Sequence, residues 1–300
     1  MPDQVGPFLW ISGQEHQGML VRWLPAMPLS WPLIPLLMKD ILCATDLTPA
    51  ADIALHFALQ IADRSSSQVT LLHVVEEGDA NGPDGLNHLG RLDDQVQRMN
   101  GTERVRKLLL EGHFMTRIAE ESERGHALVV MGTHGPRGIR QTLFGADILK
   151  LVRRISRPTL VVQETTPTEN AFDHIVMPVA GHADIDRLLE AVSMLARIHA
   201  SEVHIYQLVR PNEEPSEQLI ANRKRMMERL HEEHVRCVQV MEPSTHFSIG
   251  FAEPTIRYAE RIGAGCIAMM SHASNDHRYI ADAEKERLLT NDAGIPVLCS

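Results

Sequence analysis

From Lys39 onward the chain alternates short, wholly apolar runs with longer stretches that are apolar on one side only. Residues 41–45, 69–75, 127–131 and 159–162 read as strands buried on both faces, as in a parallel sheet covered by helices. Thr48 is placed to cap a helix that has Pro49 in its first position and runs to about Asp63. A polar stretch follows, residues 76–102, with Asn81-Gly82-Pro83-Asp84-Gly85 inside it; it is expected to begin as an exposed loop and end as a helix. A further strand belongs between Val105 and Glu111, although Leu108 to Leu110 fits a helix almost as well. Helices are expected over about 116–124, and from Gly145 with apolar Ile148, Leu149, Leu151, Val152 and Ile155, closed by Pro158.

The same order then recurs. Ile175-Val176-Met177-Pro178-Val179 follows 41–45 at an offset of 134 residues, which also carries Ala62 onto Ala196 and Val69-Thr70-Leu71-Leu72 onto Val203-His204-Ile205-Tyr206. Beyond a variable middle the offset becomes 138: Gly112 meets Gly250, Gly125 meets Gly263, Met131 meets Met269 and Pro158 meets Pro296. One unit is therefore written twice, over 38–165 and 172–300, with a polar linker at 166–171. Alternating strands and helices predict an α/β fold of two Rossmann-like domains, each with right-handed crossovers in a parallel sheet and helices on both faces. Residues 1–37 differ, holding all three tryptophans and six of the 17 prolines. They are expected to be a disordered tail, or an upstream extension with Met38 the effective start. The apolar run 23–38 is broken by four prolines and falls short of the ~20 residues a membrane span needs.

Charge and cysteine usage narrow the classes. The net charge is −10 with no basic block, so neither nucleic acid nor an anionic membrane has an electrostatic footprint here. Cys43, Cys237, Cys266 and Cys299 show no CxxC spacing and read as buried thiols in a reducing, cytoplasmic setting. Sixteen histidines are many, but no HExxH or paired Cys/His spacing organises them, and no metal site is expected.

Candidate chemistry lies at the carboxyl ends of the first copy's strands, where open α/β sheets bind ligands. Asp46, Val75 and Gly132 mark those ends. After Gly132-Thr133-His134-Gly135, read as a turn, come a basic loop with Arg137 and Arg140 and then Gly145 opening a helix. Glycines admit backbone N–H groups to a phosphate, and a helix N-terminus adds donors and partial positive charge. The spacing Gly132-x2-Gly135-x9-Gly145 resembles the ATP-binding signature of the universal stress protein family, and the likeness, of the tandem type, extends over nearly all of 38–300. It implies a five-stranded parallel sheet in each domain and pairing of the domains through their last strands, 159–162 and 297–300. It also implies ATP or a related adenine nucleotide, with Mg2+ as a compatible counter-ion. By this resemblance Asp46 meets the adenosine, Val74 or Val75 lines the adenine, and Met131, Gly132, Gly135 and Gly145 hold ribose and phosphates. Arg137, from the basic loop, and Ala146, at the helix start, complete the expected set.

Two departures weaken the first copy. The signature ends in Gly-Ser or Gly-Thr, whereas this chain has Gly145-Ala146-Asp147. A lost hydroxyl-to-phosphate bond is worth ~1.5–3 kcal/mol, or ~10- to 100-fold in affinity, and Asp147 opposes a phosphate. In the second copy Asp46 becomes Ala180, Gly132 Met270, Gly135 Ala273, Gly145 Ala283 and Ala146 Glu284. No nucleotide is expected there, the side chains filling the crevice of what is then a structural partner domain. His134 and His272 sit at equivalent turns with no nucleophile–base arrangement around them. The expected function is a stress-response regulator that binds a nucleotide through its first domain. Its partners would be an unidentified protein and a second copy in a homodimer. A nucleotide-free scaffold is the alternative, and a slow ATP hydrolase the third reading; no Walker lysine or nucleophile elbow is present.

Overall fold

The structure is a computed structural model that describes residues 19–23, 39–133, 145–169, 172–211, 213–244, 250–273 and 278–300. In the N-terminal half the strands are β1 (Met19–Trp23), β2 (Ile41–Thr45), β3 (Val69–Val75), β4 (Val105–Glu111), β5 (Leu128–Thr133) and β6 (Thr159–Gln163). Their helices are α1 (Pro49–Ser65), α2 (Gly82–Arg98), α3 (Phe114–Ser122) and α4 (Gly145–Arg154). The C-terminal half has β7 (His174–Pro178), β8 (Glu202–Val209), β9 (Arg236–Pro243), β10 (Cys266–Met269) and β11 (Val297–Cys299). Its helices are α5 (Asp186–His199), α6 (Glu217–Glu232), α7 (Ala252–Arg261) and α8 (Arg278–Leu289). Local chemistry sets the boundaries: the Thr48 hydroxyl accepts from the Ala51 N–H at the start of α1, with Pro49 behind it, and Ser66 ends the helix in the left-handed region at φ 55°.

All strands lie in one eleven-stranded sheet ordered β1-β9-β8-β7-β10-β11-β6-β5-β2-β3-β4. It is parallel within each half and antiparallel at two places only among the described residues, β1 on β9 and β11 on β6. The latter joins the halves in the register Val161↔Val297, Leu160↔Leu298 and Thr159↔Cys299. One apolar cluster lies under α1, α2, α5 and α6, the other under α3, α4, α7 and α8. Because each half is covered on both faces, the central strands carry apolar residues on both.

Two expectations need correcting, at β1 and at β5, and two open ones are resolved. Residues 19–23, inside the stretch expected to be a tail, form β1 and hydrogen-bond along β9, covering an edge that would otherwise be unpaired. The rest of 1–38 lies outside the described residues. Val105–Glu111 is the strand expected there and not the alternative helix, paired with β3 along its whole length; as the edge strand it is only half-buried, which removes the continuous apolar signal. The polar stretch 76–102 begins as a short loop and becomes helical at Gly82, as expected. Finally, β5 does not stop before Gly132: Gly132 and Thr133 pair with Val162 and Gln163 inside the sheet.

The halves also meet away from β6 and β11. Across α4 and α8, Arg153 reaches Asp282 at 2.5 Å and donates to the Ser271 carbonyl at 3.0 Å. On the other face Phe57 of α1 and His199 of α5 pack on either side of Phe172, with ring centroids 5.7 and 4.6 Å apart. His199 is 7% exposed and its Nε2 has no partner. Burial, helped by Arg64, pulls its pKa from 6.5 down to about 4. The folded value is the lower one, so the unfolded chain takes the proton first and stability is lost as pH falls from 6.5 towards 4. The expected loss is ~2 kcal/mol by pH 5, and His199→Phe is expected to abolish that part of the fall in urea unfolding at pH 7 and pH 5. The four cysteines are free and buried. Burial raises all four thiols, Cys237 to about 11 and Cys266 to about 12, so none is a thiolate at neutral pH.

Candidate functional site

In the N-terminal half the chain runs outward from β2 through β3 to β4, then returns to place β5 on the other side of β2. The reversal between β2 and β5 opens a gap at their carboxyl ends, where ligands bind in open sheets of this kind. Ala44 pairs with Met131, so Asp46 and Gly132, just beyond those residues, flank the gap. Asp46 is exposed, and its Oδ1 accepts from the Thr48 N–H at 3.1 Å and the Thr48 hydroxyl at 2.5 Å. Its carboxylate is thus anchored by the cap of α1, on a chain turned outward by Leu47 at φ 64°.

Beneath Asp46 lies a polar network that sequence reasoning missed. The His73 Nδ1 is 2.9 Å from the Thr45 carbonyl, and its Nε2 is 3.2 Å from His88 of α2. The Thr45 hydroxyl donates to Gln95 at 2.9 Å, and Gln95 donates to Asp52 at 2.7 Å. Burial, against the Thr45 hydrogen bond, holds the His73 pKa below its usual value and keeps the imidazole neutral. The available signal was a lone imidazole at the end of an otherwise apolar strand. Val74 and Val75, left as alternatives by the sequence, fall on opposite faces. Val74 packs in the cluster that holds Met131, while Val75 shares the His73 side under α2. Met131 is 2% exposed, so its side chain belongs to the core and only its backbone borders the gap.

Gly132 also has a steric role, apart from the ligand contact expected of it. A Cβ added there would lie 2.5 Å from the Ala50 carbonyl carbon and 2.9 Å from the Ala51 nitrogen. The glycine is required because the first turn of α1 crosses β5 at that point, whether or not a phosphate approaches. The second half shows the complement. There α5 starts at Asp186, the counterpart of Asp52, so its helix lacks the opening residues that crowd Gly132, and Met270 packs its side chain in that region. The joint loss of Gly132 and the start of the helix therefore has a steric cause. Gly135 and Arg137, with His134 and Arg140, lie outside the described residues. Gly145 and Ala146 open α4 and Asp147 follows in its first turn, paired with Lys150 at 3.0 Å. The surroundings of the Ala146 side chain also lie outside the described residues.

The second half was expected to have its crevice filled, and this is not so. A cavity of about 300 Å3 opens at the carboxyl ends of β7, β8 and β10, bordered by Ala180, His182, Tyr206, Phe251, Met270 and Lys285. What is gone is the seat for an anion. The Glu284 carboxylate accepts from the Ala252 N–H at 2.7 Å and lies against Gly250, capping α7 from within the chain. Lys285 is 3% exposed and donates to the His272 carbonyl at 2.5 Å. Burial, then Arg153, lowers its pKa to about 8. An apolar cavity with a carboxylate already on the helix N-terminus fits a small, largely uncharged ligand better than a triphosphate.

Comparison with known proteins follows the same division. The model of the universal stress protein family matches residues 38–163. A universal stress protein of Methanocaldococcus jannaschii is 24% identical over 155 residues, covering 42% of this chain and 94% of its own. Among solved structures, a universal stress protein of Archaeoglobus fulgidus DSM 4304 superposes with a TM-score of 0.65 at 16% identity, covering 87% of this chain and 97% of its own. A Pseudomonas aeruginosa UCBPP-PA14 structure assigned to the same family gives 0.55 at 19% identity, covering 87% and 92%. Matches of that extent share the fold of both halves. Among the described residues no helix is long and apolar enough to cross a membrane. The model of the universal stress protein family thus matches the N-terminal part of the chain, residues 38–163, and solved structures of proteins of that name share its fold along most of its length.

Proposed function

We propose that the N-terminal half binds ATP or a related adenine nucleotide at the β2/β5 gap, and that the protein acts in the cytoplasm as a nucleotide-responsive regulator. The observation that carries this reading is the placement of Asp46 beside the gap, with its carboxylate exposed and anchored by Thr48. An ionised acceptor held in that position suits vicinal hydroxyls such as those of a ribose. Val75 borders the same end of the sheet, and the N-terminus of the ten-residue α4 supplies donors for phosphates. The C-terminal half, with Glu284 capping α7, contributes the long shared sheet and not a second nucleotide site. Regulation is preferred to turnover because no nucleophile–base pair accompanies the gap among the described residues.

Asp46→Ala removes the acceptor without touching the core. In isothermal titration it is expected to weaken ATP binding ~30-fold or more, corresponding to a loss of ~2 kcal/mol for a charge-assisted bond pair. Equal affinity in wild type and variant would place the nucleotide elsewhere. A second reading, a scaffold without nucleotide, is favoured by Asp147 standing where a phosphate would seek the helix field. It corresponds to no measurable binding by either protein.

A further inference from the structure

The amino-terminal ends of β7 and β8 lie at the sheet edge opposite the crevices, and one face of that edge carries His174, Glu202 and His204. The parallel register sets His174 beside Glu202 and Val176 beside His204, and strand alternation puts the three side chains on a common face. One ring nitrogen of each histidine and a carboxylate oxygen of Glu202 all lie within 4.8 Å of one another. His204 and Glu202 are 6% and 5% exposed, while His174 is half-buried and opens a path from solvent. Two nitrogens in this group, His174 Nδ1 and His204 Nε2, are buried without a hydrogen-bond partner. Native interiors leave few such atoms unpaired, and two in one cluster call for a missing partner.

The other nitrogen of His204 has a partner. Its Nδ1 lies 2.6 Å from the Tyr258 hydroxyl. In the tautomer that donates Nδ1–H to the Tyr258 oxygen, the Nε2 lone pair remains, 3.4 Å from Glu202 Oε1. Outer partners hold metal-ligating imidazoles in this way.

We propose that His174, Glu202 and His204 form a binding site for a divalent transition-metal ion of the zinc class, with a fourth position open to water. In a tetrahedral site with bonds of ~2.0–2.1 Å, neighbouring ligand atoms stand ~3.3 Å apart. The 3.4 Å between His204 Nε2 and Glu202 Oε1 already meets that edge, and the ring of His174, the least buried of the three, closes the group within 4.8 Å. Two nitrogens and one carboxylate suit Zn2+, Co2+ or Ni2+ and not Mg2+ or Ca2+, which take oxygen shells. A hydrogen bond from His204 Nε2–H to Glu202 would account for that contact, but it leaves His174 Nδ1 unpaired. The site is independent of the nucleotide reading, since it sits at the other end of the strands.

The test uses the full chain, free of any affinity tag and stripped with a chelator. Competition against a chromogenic indicator is expected to give one Zn2+ per chain at submicromolar Kd, and Co2+ the intense visible bands of four-coordinate geometry. His174→Ala, at the half-buried position, is expected to weaken Zn2+ ~100-fold while melting as the metal-free wild type does; Tyr258→Phe, which only positions His204, should weaken it ~10-fold. Zn2+ is expected to raise the melting temperature of the wild type and not of His174→Ala. The proposal is overturned by the absence of stoichiometric binding, by equal affinity in His174→Ala, or by a His204 Nε2 proton that persists in NMR spectra at saturating Zn2+.

Discussion

Gly132→Ala is expected to lower the unfolding free energy by ~3 kcal/mol, and to do so with no nucleotide present. The added methyl would stand 2.5 Å from the Ala50 carbonyl carbon, a backbone atom that cannot swing aside. Either the first turn of α1 lifts off β5 or the strand shifts against Val162 and Gln163. Both displace Asp46 and Thr48 as well, so ligand binding falls as a consequence. Urea unfolding of the variant checks this directly through its midpoint. An unchanged midpoint with a loss of nucleotide affinity would restore the ligand-approach explanation of the glycine. Valine at 132 is for the same reason a poor control in any assay of hydrolysis, since it perturbs the fold before it perturbs chemistry.

The second large effect is a gain. Ala146→Ser is expected to tighten ATP binding ~10- to 100-fold, because a hydroxyl near the start of α4 adds a hydrogen bond to a charged phosphate worth ~1.5–3 kcal/mol. Asp147 sets the limit on that gain. Lys150 holds its carboxylate at 3.0 Å and offsets part of its charge, and an exposed pair of this kind is worth little in itself. A titration comparing wild type, Ala146→Ser and Ala146→Ser with Asp147→Val separates the two contributions. If Ala146→Ser binds no better than wild type, the phosphates do not lie at this helix.

The pattern of the chain was enough for the order of strands and helices, the cap at Thr48 and the strand ends that flank the β2/β5 gap. These are local or periodic features, and each is written in a few neighbouring residues. What stayed hidden depends on residues far apart in the chain. Gly132 looked like a turn glycine because its crowding partner, Ala50, lies on another element. β1 is unreadable because the strand it pairs with, β9, comes more than two hundred residues later. The substitutions in the second crevice suggest that it is full, yet Met270 packs partly buried against the core at its border, and the cavity survives. His174 and His204 share no spacing motif, and only the β7–β8 register makes them neighbours. The network of His73, His88 and Gln95 is hidden for the same reason, His73 standing on β3 and the other two on α2.

The central claim is that the N-terminal gap holds an adenine nucleotide. Its most direct test is mass spectrometry of the small molecules released when the purified, full-length protein is denatured after incubation with ATP and desalting. The expected result is an adenine nucleotide approaching one per chain from the wild type and almost none from Asp46→Ala. No nucleotide from the wild type, in a protein that is folded and monodisperse, would contradict the account.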